Sequence, residues 1–292
     1  MNRTVALLAA AFLSAITLGS VGVAAQPVAV DFSLQPRNDG RAQLTLESRG
    51  SGAHPSTWST SIGYNQLIGL SPAIWQHGAR ALRFALVRDA GRLDCSGHAA
   101  GSQALGTCTH TQDPEFVTFL QARGVGSPTF RQAYALTVSG VTRAQVDALK
   151  VNGYRTPSIE DVISLGIFDV SPAYVHQLAT AGYRLGTAED LVGFRIHKVT
   201  PALISSYRAL GYNRLTADDL MAMAVHGVAP DFINGFARLG YRNIAADKLV
   251  ELKIFGVTPE FVRSLERDGV RPPSAEQLIR LRMAGYEPGR GR

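Results

Sequence analysis

A 29-residue self-similarity runs through more than half of this 292-residue chain, and it limits the possible folds more than any other feature. Val141, Val170, Val199, Val228 and Val257 stand 29 residues apart, as do Gly153, Gly182, Gly211, Gly240 and Gly269. Four of those glycines precede a tyrosine, namely Tyr154, Tyr183, Tyr212 and Tyr241. One period backward lies Gly124, and Pro114 matches Pro172, Pro201, Pro230 and Pro259 in phase. Six repeats follow, 112–140, 141–169, 170–198, 199–227, 228–256 and 257–285. A fixed period of this length marks a stacked array of supersecondary units.

Each unit reads as two short helices. In the third, Ser171 is placed to cap a helix whose first position is Pro172, and Gly182 can adopt the left-handed conformation that ends it. Thr187 starts the second helix, with Glu189 and Asp190 in the first turn. Ser158, Thr216 and Ser274 repeat that cap. Apolar columns keep the helical period: Val175, Ile204, Ile233 and Val262 in the first helix, Leu191, Leu220, Leu249 and Leu278 in the second. Leu165, Phe194, Met223, Leu252 and Leu281 add a further column, and Ile167, Ile196, Val225 and Ile254 close the pattern as packing residues. Helices of about ten residues are marginal alone in water. Stacking buries their apolar stripes, so residues 112–285 are expected to form an α-solenoid with an extended surface suited to a macromolecular partner.

Residues 1–25 hold one charge, Arg3, then an apolar run from Val5 to Leu18 and small residues ending Val23-Ala24-Ala25. These are the parts of a secretory signal peptide, with cleavage expected near Ala25. The alternative is retention as an anchor, because Val5 to Ala25 is just long enough to span a bilayer. Loss of Arg3 would lower the formal charge from +6 to +5. Outside the cytoplasm, that modest basic balance points to anionic envelope components rather than nucleic acid.

Residues 26–111 change texture. Val28, Val30, Phe32 and Leu34 alternate with other residues, Asn38-Asp39-Gly40 signals a turn, and Leu44 and Leu46 resume the alternation. Ala81 to Val87, Leu93 to Gly97 and Leu105 to Thr111 read as three more strands, with a short helical turn within Leu70 to Gly78. The expected fold class is α+β: a small antiparallel sheet or sandwich packed on the first repeat, then the solenoid, then a flexible tail over 286–292.

The two cysteines flank a hairpin whose centre falls between Gly101 and Ser102, a pair suited to a type II′ turn. Counting outward sets Cys95 opposite Cys108 as a non-hydrogen-bonded pair, within disulfide reach. A zinc site is the competing reading, through Cys95-x-x-His98 and Cys108-x-His110, but strand alternation turns His98 to the opposite face. His197 and His226 are one period apart and could share an ion, yet their column also holds Phe168 and Phe255, which favours packing.

No His-Glu-x-x-His, Gly-x-Ser-x-Gly, P-loop or dinucleotide glycine pattern occurs. The recurring acids Glu160/Asp161, Glu189/Asp190 and Asp218/Asp219 sit at helix starts, where capping accounts for them. No catalytic residue, cofactor or metal is assigned. The candidate binding residues are Arg155, Arg184, Arg242 and Arg271, one per repeat after the Gly-Tyr or Gly-Val step, with Asn213 completing the column. They would form a basic ladder along the inter-helix turns, unless they lie over the tyrosines or pair with the acids of the next helix.

The strings Ile196-His197-Lys198-Val199-Thr200-Pro201 and Val257-Thr258-Pro259-Glu260-Phe261-Val262 each lead to Gly-Tyr or Gly-Val and then Ser/Thr-x-Glu/Asp-x-Leu. Together with Phe84-Ala85-Leu86-Val87-Arg88-Asp89-Ala90-Gly91, they resemble the non-catalytic C-terminal repeat region of bacterial BlaR1-type M56 metallopeptidase sensor proteins. The resemblance covers about 80 to 285 and lacks the membrane-embedded peptidase domain and its zinc motif. It implies a stand-alone sensory or interaction region, with no catalytic residue to carry over.

The leading expectation is thus an exported, non-enzymatic binding or scaffold protein, periplasmic or secreted, that recognises a protein or peptide of the envelope and no nucleic acid; contact through the basic ladder would select an acidic one. Once its signal is removed it would not be an integral membrane protein. A periplasmic accessory of a membrane-protease sensor pathway, implied by the resemblance, and an enzyme with an unrecognised site are the alternatives.

Overall fold

A computed structural model describes residues 29–48, 56–76, 78–271 and 273–287. The signal segment expected at 1–25, Val28, and residues 288–292 of the expected tail lie outside them. Six strands form one antiparallel sheet: β1 Ala29–Pro36, β2 Ala42–Ser48, β3 Ser56–Ile62, β4 Arg80–Arg88, β5 Gly91–Ala100 and β6 Gln103–Gln112. Their order is β3-β2-β1-β6-β5-β4, so the first and last strands pair at the centre. It is one sheet rather than a sandwich.

The sheet curls tightly. Phe32 of β1 and Phe84 of β4 are three strands apart, which in a flat sheet would separate them by about 14 Å. Their ring centroids are 5.1 Å apart, edge to face. The curl is possible because Gly97 and Gly106 face each other on β5 and β6. A Cβ on Gly106 would fall 2.7 Å from Cε1 of Phe32 and 2.2 Å from the Ser96 carbonyl oxygen. Val30, Leu34, Leu44, Leu46, Leu86 and Leu93 fill the concave side, with Leu67, Ile74 and Trp75 packed on it from the link between β3 and β4. That link holds short 3₁₀ turns at Tyr64–Gln66 and Pro72–Gln76, the second inside the segment expected to turn.

The strand β3 is additional to the five that alternation predicts. Its sequence, Ser-Thr-Trp-Ser-Thr-Ser-Ile, carries few apolar residues because it is an edge strand. Its side chains meet β2 through polar contacts, Gln43 Nε2 donating to Ser59 Oγ at 2.8 Å and Thr45 Oγ1 lying 2.9 Å from the same hydroxyl.

Twelve helices follow among the described residues. The first helices of the six repeats are α1 Pro114–Ala122, α3 Arg143–Val151, α5 Pro172–Thr180, α7 Pro201–Ala209, α9 Pro230–Ala237 and α11 Pro259–Arg267. The second helices are α2 Phe130–Ser139, α4 Ile159–Ile167, α6 Ala188–Ile196, α8 Ala217–Val225, α10 Ala246–Ile254 and α12 Ala275–Met283. Both series start on the 29-residue grid. First helices pack on first helices from α3 through α11, and second helices on second helices, giving a two-layer stack. Between α6 and α8, Gly193 leaves room for Met221, whose Cε lies 3.1 Å from where a Cβ would be. One continuous core runs from Phe116 to Ile279.

Local chemistry terminates each helix as the residues dictate. The hydroxyls of Ser158, Ser171, Thr187, Thr200, Thr216, Thr258 and Ser274 accept from the third backbone N–H. Asp161 and Asp219 return a bond to the cap's own N–H, each at 2.8 Å, so these two acids are consumed in capping boxes, and Asp190 accepts from the Thr187 hydroxyl. At the other end of α5, Gly182 has φ +88°, its N–H donates to Ala179 O, and Tyr183 N–H donates to Leu178 O.

A second left-handed column lies between the repeats: Gly140, Asp169, Lys198, Gly227, Gly256 and Gly285. The valine that follows each of the first five, from Val141 to Val257, is buried, and three of their carbonyls are served by different side chains. Gln145 Nε2 donates to Val170 O, Tyr174 Oη to Val199 O and Tyr207 Oη to Val228 O. Three of the tyrosines after the Gly-Tyr glycines span further, Tyr183, Tyr212 and Tyr241 donating to Leu215, Ile244 and Pro273 carbonyls of the next repeat.

The sheet takes the place of a repeat before the first. Within the stack, Arg195 Nε reaches back to Phe168 O and Arg282 Nε to Phe255 O of the preceding repeat. At the equivalent place in α2, Thr137 meets His110 of β6, and Tyr134 and Val138 enter the sheet's core. Asp89, between β4 and β5, accepts from the backbone N–H of Arg143 at the start of α3. Terminal repeats need such covers because their outer apolar face is otherwise open.

Candidate interaction surfaces

Two long edges run along the stack. The first holds the turns inside each repeat, from a first helix to its second. Arg155, Arg184, Arg242 and Arg271 are all exposed there, as is Asn213. Arg155 is anchored through its backbone, N–H to Gly186 O at 2.9 Å, which leaves its side chain to project. The anticipated pairing with the following acids is not found: among the described residues, none of the four arginines takes part in an ion pair. Asp161, Asp190 and Asp219 are engaged with cap hydroxyls instead. Nor do these arginines lie over the tyrosines; Arg195 and Arg208, from the helices, cover Tyr174 and Tyr183. The ladder also has a rung that the column missed, because Arg214 beside Asn213 is exposed on the same turn. A shallow depression lies between Tyr212–Leu215 and Asn243–Asp247 on this edge.

The second edge holds the turns between repeats. Ile167, Ile196, Val225 and Ile254 lie here at the last turn of each second helix, and they are not packing residues as their spacing suggested. They are exposed by 48% to 54%, and Met283 continues the column at 64%. The caps beside them, Phe168, His197, His226 and Phe255, are exposed too, which corrects the reading of that column as a packing site. The reason is geometric. A helix end of this type is closed by contact between the third-last residue and the one after the left-handed turn. Leu165 and Val170 supply that contact and are fully buried, so Ile167 faces outward.

The disulfide is present: Cys95 and Cys108 are in register on β5 and β6, with Cα atoms 3.9 Å apart. Ala100 pairs with Gln103, and Gly101 has φ +58° while Ser102 does not enter the left-handed region, as a type II′ turn requires. His98 lies exposed on the convex face and His110 buried on the concave face beside the cysteines. The two therefore do not converge on a metal. His197 and His226 cap neighbouring helices with no carboxylate or thiolate company, and no group of three or more His, Cys, Asp or Glu side chains suited to a metal occurs among the described residues. Among the same residues, no helix is long and apolar enough to cross a membrane. No known family model and no curated protein matches the chain.

Proposed function

We propose that this chain is an exported, non-enzymatic binding or scaffold protein, whose stacked helices recognise an acidic protein or peptide of the cell envelope. The observation that carries this reading is the row Arg155, Arg184, Arg242 and Arg271, exposed and free of ion pairs among the described residues, while Asp161, Asp190 and Asp219 nearby are held at helix caps. A guanidinium presents a rigid fork of donors that matches carboxylates in pairs. Adjacent rungs fall about 10 Å apart by ordinary helix packing, so an elongated acidic ligand would meet several in turn. The Cys95–Cys108 bond favours an oxidising compartment for the mature protein.

Capture from envelope extract, comparing the native protein with Arg184→Glu/Arg242→Glu, tests the reading. A partner enriched by the native protein, released by salt and lost in the variant supports it. Enrichment that ignores the arginines, or no enrichment, overturns it.

A further inference from the structure

The second edge carries a row of apolar side chains that packing within the chain does not require, and the row is nearly a palindrome. From repeat two to repeat five the tips read Ile167-Phe168, Ile196-His197, Val225-His226 and Ile254-Phe255. We infer that this edge is the interface with a second copy of the chain, lying antiparallel about a twofold axis between repeats three and four.

A twofold interface must be complementary to itself. With the axis at that point, Ile167 and Phe168 of one copy face Ile254 and Phe255 of the other, and Ile196 faces Val225. The charges along the edge agree. Asp169, at the tip of repeat two, comes opposite Lys253 in the last turn of repeat five's second helix. Lys198, at the tip of repeat three, comes opposite Asp231, which follows the tip of repeat four. Lys198 and Asp231 are both exposed and without an ion-pair partner among the described residues. Asp169 already meets Arg195 of its own chain at 3.4 Å, yet its side chain stays 84% exposed.

The ends of the row are accounted for. Its first member would be Val138, which the sheet buries, so the exposed row starts at repeat two. The part of the row that the twofold pairs, from Ile167 to Ile254, spans three intervals of about 10 Å, and the two helix layers make it about 20 Å wide. That is about 600 Å² on each copy, the lower end of the range of stable interfaces. A flat anionic membrane is the poorer occupant, because one sign of charge would meet Asp169 and Asp231 as well as Lys198 and Lys253, whereas a second copy matches both signs. The arginine row lies on the other edge and stays free in such a pair.

Sedimentation of the purified protein should give twice the chain mass at micromolar concentration. Ile196→Asp/Val225→Asp should halve that mass with the helical circular-dichroism signal unchanged, whereas Arg184→Glu/Arg242→Glu should leave it intact. Register is read by cysteine pairing, which also decides the matter should the aspartate variant fail to fold. A mixture of Ile167→Cys and Ile254→Cys proteins should form a cross-linked pair, and either alone should not. A monomer under all conditions, a dimer indifferent to the aspartates, or cross-linking of Ile167→Cys to itself would overturn the inference. So would a monomer that binds phosphatidylglycerol vesicles through this row, which would assign the row to lipid.

Discussion

Nε2 of His110 in β6 lies 2.9 Å from the hydroxyl oxygen of Thr137 in α2, with both side chains buried where the sheet closes the solenoid. The Thr137 hydroxyl donates to Ala133 O at 2.9 Å, so its oxygen accepts from the imidazole N–H, and His110 is assigned as the neutral Nε2–H tautomer. The rings of Phe130 and Tyr134 stand edge-on to it.

Burial holds the imidazole pKa of His110 below its ordinary value. Unfolding therefore takes up a proton in the window from about pH 6.5 down to the lowered native value. Stability from this group is intact above that window and falls as the solution is acidified through it, by at most about 1.4 kcal/mol per pH unit. Denaturant titrations of the native protein and His110→Gln at successive pH values check this. The variant should show the shallower dependence between pH 6.5 and 5, and an identical slope would remove His110 from the account.

The Cys95–Cys108 bond closes a short loop, and loop entropy gives it about 3 kcal/mol of stability. Cys95→Ala/Cys108→Ala should lose about that amount. Because both residues belong to the sheet's core and the repeats have a separate core, the loss should appear first in the sheet's amide-exchange protection. Equal loss of protection in α8 to α12 would show instead that the chain unfolds as one unit.

The repeats were readable because a period of 29 residues states the same packing problem six times, and the buried columns at Val141, Leu165 and Leu191 answer it alike. The disulfide register was readable from a two-residue turn. Three features were not. β3 hides because an edge strand buries little and so lacks an apolar alternation. The outward set of Ile167 and its equivalents hides because periodicity gives a helix face without saying whether a neighbour covers that face. The Val carbonyl bonds hide because their donors change position, from Gln145 and Tyr174 to Tyr207 four residues further along the same helix. For the arginine row, sequence gave position and sign, but freedom from pairing depended on where the nearby carboxylates were spent.

Two helices lack the side-chain cap that their counterparts carry. Ala229 before α9 and Ala245 before α10 sit at extended cap positions, φ/ψ −75°/157° and −60°/150°, and make no side-chain cap bond. Those dihedrals match the caps of neighbouring repeats, so Ala229→Thr and Ala245→Thr should each stabilise by about 1 kcal/mol. Thr216→Ala should cost a similar amount. Urea midpoints with unchanged slope would register these shifts, and a destabilised Ala245→Thr would mean that the site is closed to a hydroxyl.

Tyr207 and Phe236 occupy equivalent places in successive repeats, both fully buried. The hydroxyl of Tyr207 donates to the Val228 carbonyl at 2.6 Å, whereas the two positions that could serve the matching Val257 carbonyl both hold phenylalanine, Phe232 and Phe236. Tyr207→Phe should thus fit without steric cost and lose only the bond, leaving a buried carbonyl bare at a cost of about 1 to 3 kcal/mol. The reverse change, Phe236→Tyr, should add the missing rung toward Val257 and stabilise by up to about 1 kcal/mol. Paired urea titrations settle both. Were Tyr207→Phe neutral, the inter-repeat hydroxyl bonds would be consequences of stacking rather than contributors to it, and the apolar columns alone would hold adjacent repeats together.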